Sequence, residues 1–256
     1  MSADFTREHW EWRIRVLVST YLGYGGFYLT RKVFSICKTP IAEELGWELG
    51  RTAHIWTAFL VAYMLGQFIS SYAGRRWGPR LLLLGGLGIS LLCNLIFGFA
   101  NSYYTFLVFM AFNGFVQAAG WPGCVGAISE WLRVKERGRI FGIWTTNYIV
   151  GSVMVKTLTG MFLGMTGLYL GLAGWRWAFF GCTALAFLLW WLLYFWQRTR
   201  PEDVGLTPLV TEEETERQTI HASKEDQVGM KDYLILALNP LVLTMGGAYF
   251  CVKFLR

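Results

Sequence analysis

Apolar residues in this chain are gathered into long runs separated by short polar segments. Six runs are near 20 residues or longer: Ile14–Ser35, Ala53–Ala73, Leu81–Ala100, Tyr103–Trp131, Ile140–Leu163 and Trp177–Trp196. A helix needs about 20 mostly apolar residues to cross a bilayer core, so each run is long enough to span. A seventh begins at Asn239-Pro240 and continues to Arg256. Its Asn is a good cap, and Pro is tolerated at the first helical position. The pattern predicts an all-α integral membrane chain. Residues 1–13 form a leading segment, 14–196 a six-helix bundle, 197–238 a linker, and 239–256 the start of a seventh helix.

The polar segments alternate in charge. Arg7, Arg13 and Arg15 precede the first run, and Arg75, Arg76 and Arg80 separate the second from the third. Arg133, Lys135, Arg137 and Arg139 separate the fourth from the fifth, and Arg198 and Arg200 follow the sixth. The other connections hold only Lys38, Arg51 and Arg176. Basic loops stay in the cytoplasm, which places the N-terminus and the linker there, in a multi-pass protein of the cell inner membrane. The net charge of +6 follows from these loops and implies no nucleic-acid partner. The first run is too long, and too polar at its far end, for a cleaved signal peptide.

The segment Gln197–Asp232 is rich in charge, with Glu212, Glu213, Glu214, Glu216 and Arg217 among others. It reads as a solvated linker. Small residues at four-residue spacing occur at Gly114/Ala118, Gly160/Gly164 and Gly167/Gly171, where helix backbones are expected to approach. The five cysteines lie in or beside apolar runs without a CxxC spacing, and the three histidines share no metal-ligand spacing. These read as buried thiols and isolated imidazoles, with no metal or cofactor expected.

The informative stretch is Tyr24-Gly-Gly-Phe-Tyr28-Leu-Thr-Arg31-Lys32, inside the first run. A cation at the centre of a membrane helix costs roughly 2.5–3.5 kcal/mol on insertion scales. It persists where it faces a polar cavity, a partner or an anionic ligand. Tyr24 and Tyr28 lie seven and three residues before Arg31, on one helical face with it. The other ionised residues within runs are Lys32, Lys156, Lys253 and Arg256, and Glu130 stands at the end of the fourth. Proton-coupled carriers relay protons through intramembrane carboxylates or histidines, and none lies deep in these runs. The missing counter-charge points to an anionic ligand, and guanidinium suits phosphate. Lys32 and Lys156 also read as snorkelling residues. Arg256 lies 16 steps from Pro240 and Arg31 lies 17 steps from Ile14, so parallel six-helix repeats would place the two arginines at similar depth.

Four motifs carry a resemblance. Tyr24, Tyr28, Arg31 and Lys32 are followed by Phe34 and Ser35. Gly120-Trp121-Pro122-x-Cys124 lies in the fourth run, Glu136-Arg137-Gly138 precedes Trp144, and Arg200-Pro201-Glu202-Asp203-Val204-Gly205-Leu206 follows the sixth run. With them the chain resembles the N-terminal half of a major facilitator superfamily transporter, in the organophosphate:phosphate antiporter family. That family includes glycerol-3-phosphate and hexose-6-phosphate transporters, the glucose-6-phosphate translocase and a hexose-phosphate sensor. The resemblance implies a six-helix N-terminal bundle of a major facilitator fold plus the start of a seventh helix. It implies that a first-helix and a seventh-helix arginine clamp the substrate phosphate. Arg31 matches the first, and Arg256 falls where the second is expected. Tyr63 matches a site tyrosine, and Trp121 and Trp144 match tryptophans near the site.

The departures are specific. Gln67 stands for a second-helix Lys of the glycerol-3-phosphate carrier, Tyr148 for its fifth-helix His, and Gly126 for a basic residue after the Gly-Trp-Pro motif. Arg75 replaces the acidic residue of the superfamily's loop between helices two and three. The expected function is exchange of a sugar phosphate or glycerol phosphate for inorganic phosphate by alternating access, with no covalent chemistry. Arg31 and Arg256 would hold the phosphoryl group. Tyr24, Tyr28, Lys32 and Tyr63 would join them, and Asn147 and Tyr148 would line the organic end. The complete protein is expected to be monomeric in the bilayer. The alternative is a sensor for external hexose phosphate with the same site and a signalling kinase as partner.

Overall fold

The computed structural model describes residues 6–165, 171–208, 235 and 238–254, and the side chains of these up to residue 248. The described residues form α1 (Arg7–Leu45), α2 (Leu49–Trp77), α3 (Pro79–Phe99), α4 (Tyr103–Gln117), α5 (Gly120–Ser129), α6 (Val134–Trp144), α7 (Asn147–Leu163), α8 (Gly174–Trp196) and α9 (Pro240–Phe254). A 3-10 turn at Pro201–Val204 follows α8. Residues 3–209 make one compact unit. The helix α9 belongs to a second unit. Most of the expected linker lies outside the described residues.

By length and composition, α2, α3 and α8 are long and apolar enough to cross a membrane. The first expected span lies within α1, whose 39 residues exceed its apolar run at both ends. Thr6 starts α1 by accepting from the His9 amide, and Gly46 ends it in the left-handed region with φ of 64°.

The fourth and fifth runs each fold as two helices, for different reasons. Pro122 has no N–H to give the carbonyl four residues back, on Ala118. The Gln67 side-chain amide donates to that carbonyl instead, at 3.1 Å. In the fifth, no proline intervenes. Thr145 and Thr146 hydroxyls donate back to the carbonyls of Gly142 and Ile143 at 2.9 and 2.7 Å. The Tyr148 and Ile149 amides reach only three residues back, tightening one turn.

Two glycines let α2 and α4 touch backbone to backbone. A Cβ on Gly114 would lie 2.3 Å from the Phe59 carbonyl oxygen, and one on Gly66 would lie 2.5 Å from that of Phe115 and 2.8 Å from Ala118 Cβ. The Gly114/Ala118 spacing thus marks a true contact. Nothing lies within 4 Å of a Cβ on Gly160, and Gly164 would meet only atoms of its own helix. Gly167 is outside the described residues.

Both ends of the bundle are tied by ions. At the end where α1 begins, buried Arg13 pairs with Glu136 at 2.8 Å. There, too, Trp131 donates from its indole to the Arg198 carbonyl, and the Asp203 carboxylate accepts from the Thr199 and Arg200 amides. At the opposite end, buried Arg176 donates to Glu44, Asn101 and the carbonyls of Gly98 and Ala100. The Trp175 indole also donates to Glu44.

A Gly114→Ala substitution must push two backbones apart. It is expected to lower unfolding stability in detergent by about 1–3 kcal/mol, as overpacking does. Gly160→Ala has open space and is expected to be neutral or to gain up to about 1 kcal/mol from helix propensity. Equal melting shifts for the two would contradict the contact assigned to Gly114.

Candidate functional site

Most of the bundle's buried apolar residues fall into two clusters, with a third, small one of Ala73, Leu82 and Ala119. Of the two, one holds Phe34, Phe97, Phe106 and Trp175, and the other Phe27, Leu83, Leu87 and Trp144. Along α1 the boundary falls between Tyr28, which packs on the second, and Leu29, which belongs to the first. The next residues are Thr30 and Arg31, so the intramembrane cation stands at the seam.

A chain of neutral side chains holds Arg31. Its Nε donates to Gln117 Oε1 at 2.8 Å. Gln117 Nε2 donates to Thr30 Oγ1 at 2.9 Å and to Asn113 Oδ1 at 3.3 Å. Asn113 Nδ2 donates to the Thr30 carbonyl at 3.3 Å. The guanidinium carbon lies 4.6 Å from the Tyr63 ring centre, 5.6 Å from that of Tyr28 and 5.9 Å from that of Phe59. Aromatic faces attract the cation without neutralising it. Among the described residues, no carboxylate pairs with Arg31, and its Nη2 is buried without a hydrogen-bond partner. A fixed guanidinium with an unused N–H edge can take an oxyanion through charge-assisted hydrogen bonds.

The neighbouring cation continues the arrangement. Trp56, Phe59 and Tyr63 form a stacked series on α2, with successive ring centres 5.0 and 5.9 Å apart. Lys32 Nζ lies 5.7 Å from the Trp56 ring centre, as Arg31 lies over Tyr63. Toward the start of α1, Tyr24 is 5% exposed and meets Tyr28, Trp121 and Trp144 at 5.7, 5.8 and 5.8 Å. Trp121 and Trp144 are 5.6 Å apart, and the Trp144 indole donates to Thr20 Oγ1 at 3.3 Å. Tyr24, Tyr28, Arg31, Lys32, Tyr63, Trp121 and Trp144 are therefore one connected aromatic and cationic wall.

Asn147 and Tyr148 differ from each other. Tyr148 is 37% exposed, whereas Asn147 is 1% exposed and neither amide atom has a partner. Asn147 lies on the buried side of α7, with Gly151, Val155 and Thr159. The side chains of Lys253 and Arg256 lie outside the described residues, so the expected pairing of Arg31 with Arg256 is without geometry here.

Sequence reasoning missed Thr30, Asn113 and Gln117. The signal was present: Asn113 and Gln117 are polar residues four apart in an otherwise apolar run. Polar side chains at membrane depth face the bundle interior and find partners there.

The chain matches the Major Facilitator Superfamily over residues 20–254. It is 29% identical over 195 residues to a "Probable hexose phosphate transport protein" of Chlamydia muridarum, covering 76% of this chain and 41% of that one. It is 28% identical over 201 residues to the "Glycerol-3-phosphate transporter" of Bacillus subtilis, covering 77% and 44%. It is 29% identical over 254 residues to the "Membrane sensor protein UhpC" of Escherichia coli, covering 96% and 55%. The chain thus spans about half the length of the curated relatives it matches. Among solved structures, the bacterial homologue of the human lysosomal transporter Spinster, inward-facing and unoccupied, shares the fold. It superposes with a TM-score of 0.62 at 20% identity, covering 74% of this chain and 44% of that one. The chain is a multi-pass membrane protein that belongs to the Major Facilitator Superfamily, and its likeness within that superfamily is to the organophosphate:phosphate antiporter branch that its motifs resemble.

Proposed function

We propose that this chain supplies the first six-helix bundle of an antiporter that exchanges a phosphorylated small molecule for inorganic phosphate. The supporting observation is the state of Arg31, a cation held by neutral groups with Nη2 left over. Its permanent charge needs an anion, and a phosphoryl oxygen fits the unused N–H edge. The Tyr28 and Tyr63 rings lie against the guanidinium, and Lys32, over Trp56, adds a second positive charge next in sequence. Arg256, from the second bundle, would close the clamp. Anion binding would favour the occluded state through contacts made to both bundles at once, and release would let them rock apart. The N-terminus and linker would be cytoplasmic, where the basic loops place them.

A sensor of external hexose phosphate remains the second reading. It is favoured by the match to UhpC, which covers 96% of this chain. Counterflow separates the two. Labelled phosphate entering phosphate-loaded vesicles that carry the product of the complete coding sequence supports antiport. Binding without exchange supports the sensor and a kinase partner.

Arg31→Lys keeps the charge but loses the fork and the bond to Gln117. It is expected to reduce phosphate exchange by about 100-fold or more, as loss of paired charge-assisted hydrogen bonds implies, with normal expression. Near-normal exchange would remove Arg31 from the site. Gln117→Glu places a carboxylate against Nε, where it competes with the incoming anion. Exchange is expected to fall about ten-fold or more while the protein folds normally. Unchanged half-saturation by phosphate would show that Arg31 does not bind it.

A further inference from the structure

The aromatic and cationic wall occupies one side of α1, and a second pair of cations stands on the other side. Gly23 and Gly26 lie on a different face of α1 from Tyr24, Tyr28 and Arg31. A Cβ on Gly23 would press on Leu193 of α8, and one on Gly26 would lie 3.1 Å from Leu87 of α3. Helices α3 and α8 are both long and apolar enough to cross a membrane, and they run antiparallel. Arg80 Nη2 donates to the Tyr194 carbonyl at 3.0 Å, and the Trp190 indole donates to that of Leu84 at 2.8 Å. Toward their other ends, Gly98 faces the Phe180 ring.

An apolar groove of about 310 Å³ lies between them, lined by Leu91, Leu92 and Leu95 of α3 and Phe180, Ala184 and Phe187 of α8. Leu92, Leu95 and Phe187 are exposed, so the groove opens outward, away from the buried cluster beneath it. Arg80 precedes Leu91 and Leu95 by 11 and 15 residues, about 16 to 22 Å at 1.5 Å per residue. The hydrocarbon of one leaflet is about 15 Å deep. The groove therefore sits where an acyl chain ends when its headgroup is at Arg80.

Arg80 does not stand alone there. Arg198 Nη1 donates to the carbonyls of Phe195 and Gln197 at 3.0 and 2.8 Å, so two guanidinium groups meet the last turn of α8. A helix C-terminus carries only about half a negative charge, which leaves positive charge over. Burial first, and then the charge of Arg80, lower the Arg198 pKa from its ordinary value. Asp203 opposes that shift without forming an ion pair, since its carboxylate accepts from the Thr199 and Arg200 amides. Among the described residues no carboxylate pairs with Arg80 or Arg198, and Arg80 Nε is buried without a partner. The guanidinium of Arg80 lies over the exposed Tyr194 ring. Trp191 and Phe195 are exposed beside it, with ring centres 5.4 Å apart, an aromatic group of the kind that sits at the headgroup level.

We propose that the cleft between the start of α3 and the end of α8 seats one anionic phospholipid. Its phosphate lies at Arg80 and Arg198, and one acyl chain runs along α3 into the groove. Paired guanidinium groups at a membrane surface suit a phosphodiester. A zwitterionic headgroup brings its own ammonium and gains less from them.

The test is native mass spectrometry of the product of the complete coding sequence in detergent, with added dioleoyl phosphatidylglycerol or dioleoyl phosphatidylcholine. Half-retention of the former is expected at a concentration about ten-fold lower, the worth of one charge-assisted contact. The ratio is expected to fall toward one in Arg80→Gln/Arg198→Gln and to persist in Arg80→Lys/Arg198→Lys. Ala184→Trp, on the exposed side of α8, fills the groove and is expected to weaken dioleoyl phosphatidylglycerol about ten-fold while sparing the dihexanoyl form. Equal retention of the two lipids, or a preference that survives the double Gln variant, overturns the headgroup contact. Loss in the Lys pair as well assigns both arginines to holding the helix end and also overturns it. An unaltered affinity in Ala184→Trp overturns the acyl seat. Displacement by inorganic phosphate at matched concentration, or a dimer in place of the bound lipid, overturns the proposal as a whole.

Discussion

A guanidinium held by an amide, with no carboxylate beside it among the described residues, is the constraint from which the rest of this bundle follows. Had Asp or Glu occupied the place of Gln117, Arg31 would be a neutral pair and the bundle's centre would be electrically closed. The amide supplies the same direction and a comparable distance, 2.8 Å, without cancelling the charge. It is itself held by Thr30 and Asn113, so the cation has a fixed orientation. Position without neutralisation is what the proposed anion site requires, because breaking an existing buried ion pair to admit a visitor is costly.

The two broken helices serve that centre. Pro122 frees a carbonyl that Gln67 takes up, so α2 is bonded to the joint between α4 and α5, next to Gln117. The threonine-tightened turn between α6 and α7 is bonded to α1 through Tyr21. Tyr24, Trp121 and Trp144 then meet from three different helices. Each irregularity is bonded across to a neighbour, which is how non-ideal backbone is tolerated at membrane depth.

Much of this was legible in the chain. Long apolar runs give helices because the bilayer leaves the backbone no other partner, and Arg31 announced itself by being charged there. Its face, with Tyr28 and Tyr63, followed from spacing and family likeness. The breaks were harder to read. Pro122 sat inside an apolar run whose hydropathy it scarcely alters, and back-bonding by Thr145 and Thr146 depends on rotamers. The supporting amides were missed because neutral polar residues barely disturb a hydropathy profile. Gly114 and Gly160 carried the same spacing, yet only the former touches a neighbour. Spacing reports which face a residue shares, and the partner helix decides whether that face is used.

The length of α1 has a mechanical consequence. Its 39 residues span about 58 Å at 1.5 Å per residue, with Arg31 between the two ionic ties. Near its start, Arg13 is bound to the head of α6, and near its finish Glu44 is bound to α8. A displacement imposed on Arg31 is thus passed along one continuous helix anchored at both tips, whose backbone hydrogen bonding is interrupted by Pro40 between Arg31 and Glu44. The helix acts as an axle, delivering a small force felt in the middle of the bilayer to both of its surfaces.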